Sequence, residues 1–348
     1  MFGIASPWLA CAHHAEAMQH LARLPRRATG PTSAPRLQPP GGRPARRHGP
    51  YSRHVATRSV HGSVVYLHGV GGARDMWWRP IREALGGLTV DFSAPTYDDV
   101  LTTSGSVHAR RSVADSNGPS DRARLDYLTR QRRLTRMIDA VGESSTLTWP
   151  ALLPHPSDIA ERLPLTQMLR TPVFGLDQVG RYLDDEARRA AVLHRASLAL
   201  LRAPRPRVVV AHSLGSLVAW DLLADPRIEM DLLVTLGSPL SQPAVDVEPL
   251  TFPYDRIGAW LNVVHLLDPV PAGRGLAESF PAACDLFLSP TTGWASPANA
   301  FSRLAAAVAG AATAHLDSTY LVSPTVHAAI REAMRTPATQ VPIPEAVA

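Results

Sequence analysis

The stretch VVVAHSLGSLVAWDLL, residues 208–223, constrains the fold of this chain more than any other. A run of valines suits a strand buried on both faces, and just beyond Ala211 the chain reads Ser213, Leu214 and Gly215 before turning apolar and helical. A strand that passes into a helix through so short a turn needs small residues two before and two after the turning residue, a need that Ala211 and Gly215 meet. Such a turn lifts the Ser213 hydroxyl above a sheet edge and aims a helix N-terminus at it. Ser213 as a plain helix N-cap is the competing reading.

The rest of the chain repeats the same alternation. VVYLHG from Val64 predicts a strand, and the Gly-rich VGGARDMWWRPIREALGG predicts a loop and then a helix carrying Trp77, Ile81 and Leu85 on one face. LTVDFSAPTY predicts a second strand, and 176–203 reads as helical. Strands follow in PRPRVVVAHS, MDLLVTLGSP, AWLNVVHLLDPVP and DLFLSP, a weak helix in ANAFSRLAAAVAG and a closing helix in SPTVHAAIREAMRT. Strands that are continuously apolar, separated by helices, predict an α/β class: a mostly parallel central sheet with helices on both faces.

Residues 61–340 are expected to form this domain, with a helical lid inserted at about 98–171, where the apolar pattern loosens around an Arg-rich amphipathic helix. Residues 1–60 are expected to be a disordered tail, because Pro, Gly and Arg dominate there without apolar periodicity. That tail also explains the charge. The chain carries +5, but residues 1–60 hold nine Arg and one acid, which leaves 26 Arg against 29 acids in the remainder, a net of −3. All 35 basic residues are Arg, which reads as compositional bias, and no nucleic-acid partner is expected.

Cys11 and Cys284 give no metal-ligand spacing. No apolar run approaches a membrane span, and no basic residue precedes the apolar start MFGIASPWLACA, so a cytoplasmic protein without a transmembrane segment is expected.

A serine hydroxyl needs a base, and the base needs an acid to orient it. Three histidines follow Ser213. His265 falls within a strand and His327 within the last helix, whereas His315 lies between helices, where a loop can present its imidazole over the sheet. Among acids, Asp268 ends a strand just before Pro269, at a carboxyl edge. Asp285 begins its own strand, Asp317 is too near His315, and Asp246 also competes. Oxyanion donors are expected from the amides of Leu214 and Val70, the latter in a loop that His68, Gly69, Gly71 and Gly72 shape. Trp77 and Trp78 are candidates for a substrate pocket, with core packing as the alternative. His212 should project away from the Ser213 hydroxyl.

LHGVGG, VVVAHSLGS, TLGSP, NVVHLLDPV and AHLDSTYL, in this order, resemble the α/β-hydrolase superfamily, particularly its lipase-like and esterase-like members, over residues 63–335. The resemblance implies a triad of Ser213, Asp268 and His315 and no metal or organic cofactor. Ala211, where the motif has Gly, is a departure. The expected activity is cleavage of a carboxylic ester, with a small and even lipid-like substrate, through an acyl-enzyme. Acyl transfer or thioester cleavage on the same triad is the alternative, and a non-catalytic module that binds partners through its Arg-rich parts is a third reading.

Overall fold

The computed structural model describes residues 62–102, 120–142, 177–242, 245, 247, 250–288 and 313–335. The expected tail, the helix expected in ANAFSRLAAAVAG and Asp246 lie outside the described residues.

Six strands form one sheet: β1 (Ser63–Leu67), β2 (Asp91–Ser93), β3 (Arg207–His212), β4 (Leu232–Leu236), β5 (Trp260–His265) and β6 (Cys284–Leu288). Their order is β2-β1-β3-β4-β5-β6, and every pairing is parallel. The helices are α1 (Arg79–Leu85), α2 (Asp98–Thr102), α3 (Asp121–Val141), α4 (Asp177–Asp184), α5 (Glu186–Arg202), α6 (Leu214–Leu222), α7 (Asp317–Leu321) and α8 (Pro324–Arg335). This is the α/β architecture that the strand pattern predicts.

The continuous apolar strands now have a physical reason. Successive side chains point to opposite faces, and here both faces are cores. Val65, Leu67, Val209 and Ala211 pack with α5 and α6, while Val64, Tyr66, Val208 and Val210 pack with α1 and α8. Each fully buried Val or Leu side chain contributes on the order of 2 kcal/mol.

The expected second strand is present as a three-residue edge strand, β2, which pairs with β1. One expectation is corrected. The 176–203 stretch is two helices, because Asp185 leaves the helical conformation at φ −112° and its carboxylate takes the amide of Arg188 at 3.0 Å, capping α5.

The expected lid segment is described only in part. Gln131 of α3 pairs with both backbone groups of Trp260, at 2.8 and 3.0 Å, and Arg130 donates to the Gly258 carbonyl at 2.8 Å. These bonds fasten α3 to the amino end of β5, the edge of the sheet opposite to the one that carries Ser213. α2 packs Val100 and Leu101 into the core beside α5. Residues 103–119 and 143–171 of the expected lid lie outside the described residues. Among the described residues no helix is long and apolar enough to cross a membrane.

Candidate active site

The carboxyl ends of β1, β3, β4 and β5 each deliver one part of a single cluster. β3 ends at His212, and Ser213 follows with φ 52° and ψ −121°, a left-handed backbone that a residue with a Cβ rarely adopts. Several bonds hold it there. The Ser213 amide donates to the Leu236 carbonyl at 3.0 Å, and the Ser213 carbonyl accepts from the amide of Ser216 at 2.9 Å and from its hydroxyl at 2.6 Å. Conformations of this sort cost about 1–3 kcal/mol and persist where surrounding structure enforces them.

The small residues of the motif are needed for a measurable reason. A Cβ on Gly215 would lie 2.0 Å from the Leu67 carbonyl oxygen, so α6 rests directly on the end of β1. A Cβ on Gly69 would meet the His212 Nδ1 at 2.9 Å and the Ser213 Cβ at 3.0 Å. Ala211 is fully buried in the core shared with α6, where its methyl is accommodated.

Ser213 sits at the N-cap position of α6, yet its side chain caps nothing. Its Oγ lies 2.9 Å from the Nε2 of His315, and the Nδ1 of His315 lies 2.8 Å from the Oδ2 of Asp268. A carboxylate only accepts, so Nδ1 carries the imidazole proton and Nε2 turns its lone pair toward the hydroxyl. Asp268 is fully buried; its Oδ1 accepts the Val270 amide at 2.8 Å, and its Oδ2 also accepts the Tyr320 hydroxyl at 2.5 Å.

The competing residues are engaged elsewhere. His265 ends β5 and takes the Leu267 amide at 3.2 Å, and His327 bonds the Leu321 carbonyl from within α8. Asp285 accepts from Asn262 and from the amides of Leu276 and Ala277. Asp317 opens α7, accepts the Tyr66 hydroxyl at 3.1 Å and lies 3.4 Å from Arg74.

The loop after β1 lies against the turn because β1 and β3 are neighbours, with Leu67 in register with Ala211. His68 is fully buried, stacked on Tyr97 at 4.0 Å, and its Nδ1–H donates to the Gly69 carbonyl at 2.8 Å. The Tyr97 hydroxyl donates to the His68 carbonyl at 2.6 Å. His68 thus shapes the loop. Gly71 and Gly72 have φ of 83° and 84°, and a Cβ on Gly72 would meet the Asp98 carboxylate at 2.8 Å. Val70 is half-buried and packs on the α5–α6 core, and Leu214 opens α6, where first-turn amides have no partner within the helix.

The tryptophans have aromatic and cation contacts on one face of the sheet. Trp77 stacks on Tyr66 at 4.6 Å and meets Phe92 edge-on, while Trp78 lies under the Arg82 guanidinium. Both belong to the α1–α8 core, the face of the sheet opposite to the one on which Val70 and Leu214 pack.

Three neighbours of the cluster were not singled out from the sequence for the roles they play. His212 does project away from the hydroxyl, and its Nε2–H donates to the His315 carbonyl at 2.8 Å, with the rings 4.9 Å apart. Burial, and next the nearby His315, push its pKa down to about 4, so it stays neutral. Gly237 has φ 53°, and a Cβ there would sit 2.7 Å from the Asp268 Oδ2 and 3.2 Å from the His315 Nδ1. Tyr320 is the third. The only hint in sequence was that Gly237 and Tyr320 fall inside TLGSP and AHLDSTYL.

Among the described residues no group of three or more His, Cys, Asp or Glu could hold a metal ion.

No known family model matches the chain, and no curated protein matches it. Among solved structures, acetyl xylan esterase 1 from Thermoanaerobacterium sp. JW/SL YS485 aligns at 14% identity over 72% of this chain and 74% of that chain, with a TM-score of 0.28. The structure of RedJ with a PEG molecule bound in the active site aligns at 13% identity over 83% of this chain and 97% of that chain, with a TM-score of 0.24.

Proposed function

We propose that the protein is a serine hydrolase that cleaves carboxylic esters through an acyl-enzyme. One observation carries this reading: an unbroken chain from Ser213 Oγ to His315 Nε2 at 2.9 Å and from His315 Nδ1 to Asp268 Oδ2 at 2.8 Å. The order Ser, Asp, His along the sequence and the strand, turn, helix setting of Ser213 support it further.

In this reading Ser213 Oγ attacks the ester carbonyl carbon while its proton passes to His315 Nε2. The amides of Val70 and Leu214 receive the developing oxyanion, where one donor is worth about 3 kcal/mol of barrier. His315 then protonates the departing alkoxide, leaving an acyl group on Ser213. Water, deprotonated by His315, then attacks the acyl carbon; the bond to Ser213 Oγ breaks, His315 returns its proton to Oγ, and the carboxylic acid leaves. Asp268 stays ionised and keeps the imidazole in its Nδ1–H tautomer.

The proposal stops at carboxylic esters. The chain length of the acyl group is left to the ester series below.

The test is turnover of p-nitrophenyl acetate and longer p-nitrophenyl esters by wild type and by Ser213→Ala. Wild-type turnover that Ser213→Ala reduces by 10³-fold or more is the expected result. Equal rates for the two proteins would refute it.

A further inference from the structure

We propose that Tyr320 is a positioning residue that sets the basicity of His315 by sharing its carboxylate partner. The inference rests on the reading of Ser213, His315 and Asp268 given above and adds a fourth member.

The Oδ2 of Asp268 accepts two protons at once, from His315 Nδ1 at 2.8 Å and from the Tyr320 hydroxyl at 2.5 Å. A phenol can rotate its proton away from a partner, but here it has nowhere else to send it. Its oxygen accepts the backbone amide of His265 at 3.2 Å, so the lone-pair side is occupied and the O–H is directed at the carboxylate. Tyr320 and Asp268 are both fully buried, which removes water as a competing donor. Gly237 completes the fit, since a Cβ there would stand 3.1 Å from the phenol oxygen as well as against Asp268 and His315.

Burial and the adjacent carboxylate hold the Tyr320 pKa well above its ordinary value, so the donor is present throughout the working pH range. Its consequence is electrostatic. A hydrogen bond to a carboxylate draws charge off it, and a weaker negative partner stabilises the imidazolium form less. Tyr320 therefore lowers the basicity of His315 relative to a triad with a bare aspartate.

The other ionisable groups facing this pair are His212 from β3, His265 from β5 and Asp317 from α7. Asp317 is held by Tyr66 and Arg74. Burial depresses the pKa of both His212 and His265, so neither adds a charge near neutral pH.

The test is the NMR titration of the His315 imidazole in the full chain, wild type against Tyr320→Phe, beside the pH profile of kcat/KM for p-nitrophenyl acetate. The phenylalanine variant is expected to titrate about one pH unit higher, with the acidic limb of the profile moving up by the same amount. A tyrosine that only filled space would lower the melting temperature on removal of its oxygen and leave the titration where it was. A His315 midpoint that stays or falls overturns the proposal. Should Tyr320→Phe fail to fold, wild type decides: a slowly exchanging Tyr320 hydroxyl proton with a nuclear Overhauser contact to the His315 Nδ1–H is expected. A resolved His315 Nδ1–H without that contact overturns it. The titration needs no turnover, so a wild type that cleaves no ester would sink the hydrolase reading and still leave the imidazole midpoints to judge Tyr320.

Discussion

Replacing Gly215 with alanine puts the turn under a load whose size can be worked out. Gly215 lies in the first turn of α6, where alanine is ordinarily favoured over glycine by about 1 kcal/mol. The contact geometry opposes that gain. The new methyl would sit 2.0 Å from the Leu67 carbonyl oxygen and 2.6 Å from its carbon, and both are backbone atoms that no rotamer change can move. Relief requires the added methyl and the Leu67 oxygen to move apart from 2.0 Å to the 3.4 Å at which ordinary contacts begin, a displacement of about 1.4 Å that α6 and the end of β1 must share. Overpacking of this kind costs about 1–3 kcal/mol, so the net effect is destabilising in spite of helix propensity. The same movement pulls the Leu214 amide away from the loop that carries Val70, and a misplacement of about 1 Å at such a site costs on the order of 10²-fold in rate. Urea denaturation and p-nitrophenyl acetate kinetics on wild type and Gly215→Ala measure both effects. A variant as stable and as active as wild type would refute the close packing of turn against strand and the amide pair built on it.

Other perturbations have signs set by the same contacts. Ser213→Gly places the residue that tolerates φ 52° where strain now sits, and is expected to raise the stability by about 1 kcal/mol while abolishing turnover; a lower denaturation midpoint would contradict it. Asp268→Asn keeps the shape but turns an amide toward His315, so kcat is expected to fall by about 10³- to 10⁴-fold with the fold intact, checked by kinetics and circular dichroism. His212 has a folded pKa lowered to about 4 from the ordinary 6.5, so between these values the unfolded chain binds the extra proton and stability falls as pH falls. The unfolding free energy from urea titrations is expected to decline from pH 7 to pH 4.5 by on the order of 2 kcal/mol from this group, and His212→Gln should flatten the slope.

Much of the fold is legible in the sequence. The β3 and β4 valines and leucines announce strands because both faces of the sheet are covered, and a period of two gives way to continuous burial. The turn at Ser213 is legible because its steric demand is local: Gly215 must be small whatever the rest of the fold does. His315 and Asp268 could be chosen by elimination and by their places after strands or between helices.

What stayed hidden depends on contacts between distant segments. Tyr320 meets Asp268 across 52 positions, and nothing in either local stretch states that pairing. His212 was expected only to point away from the serine, and its bond to the His315 carbonyl exists because the chain returns over β3 more than a hundred residues later. Trp77 and Trp78 stand in a loop beside the site in sequence, but the direction of each ring follows from the packing of Phe92 and Arg82, which sequence order does not reveal. The same holds for α3, whose amphipathic pattern does not reveal that Gln131 pairs with the backbone of Trp260.

The most direct measurement is modification of the full chain by a fluorophosphonate, followed by peptide mapping. The account predicts stoichiometric attachment at Ser213, none in Ser213→Ala, and strongly slowed attachment in His315→Ala. Attachment at another residue, or a wild type that stays unmodified while correctly folded, would contradict it.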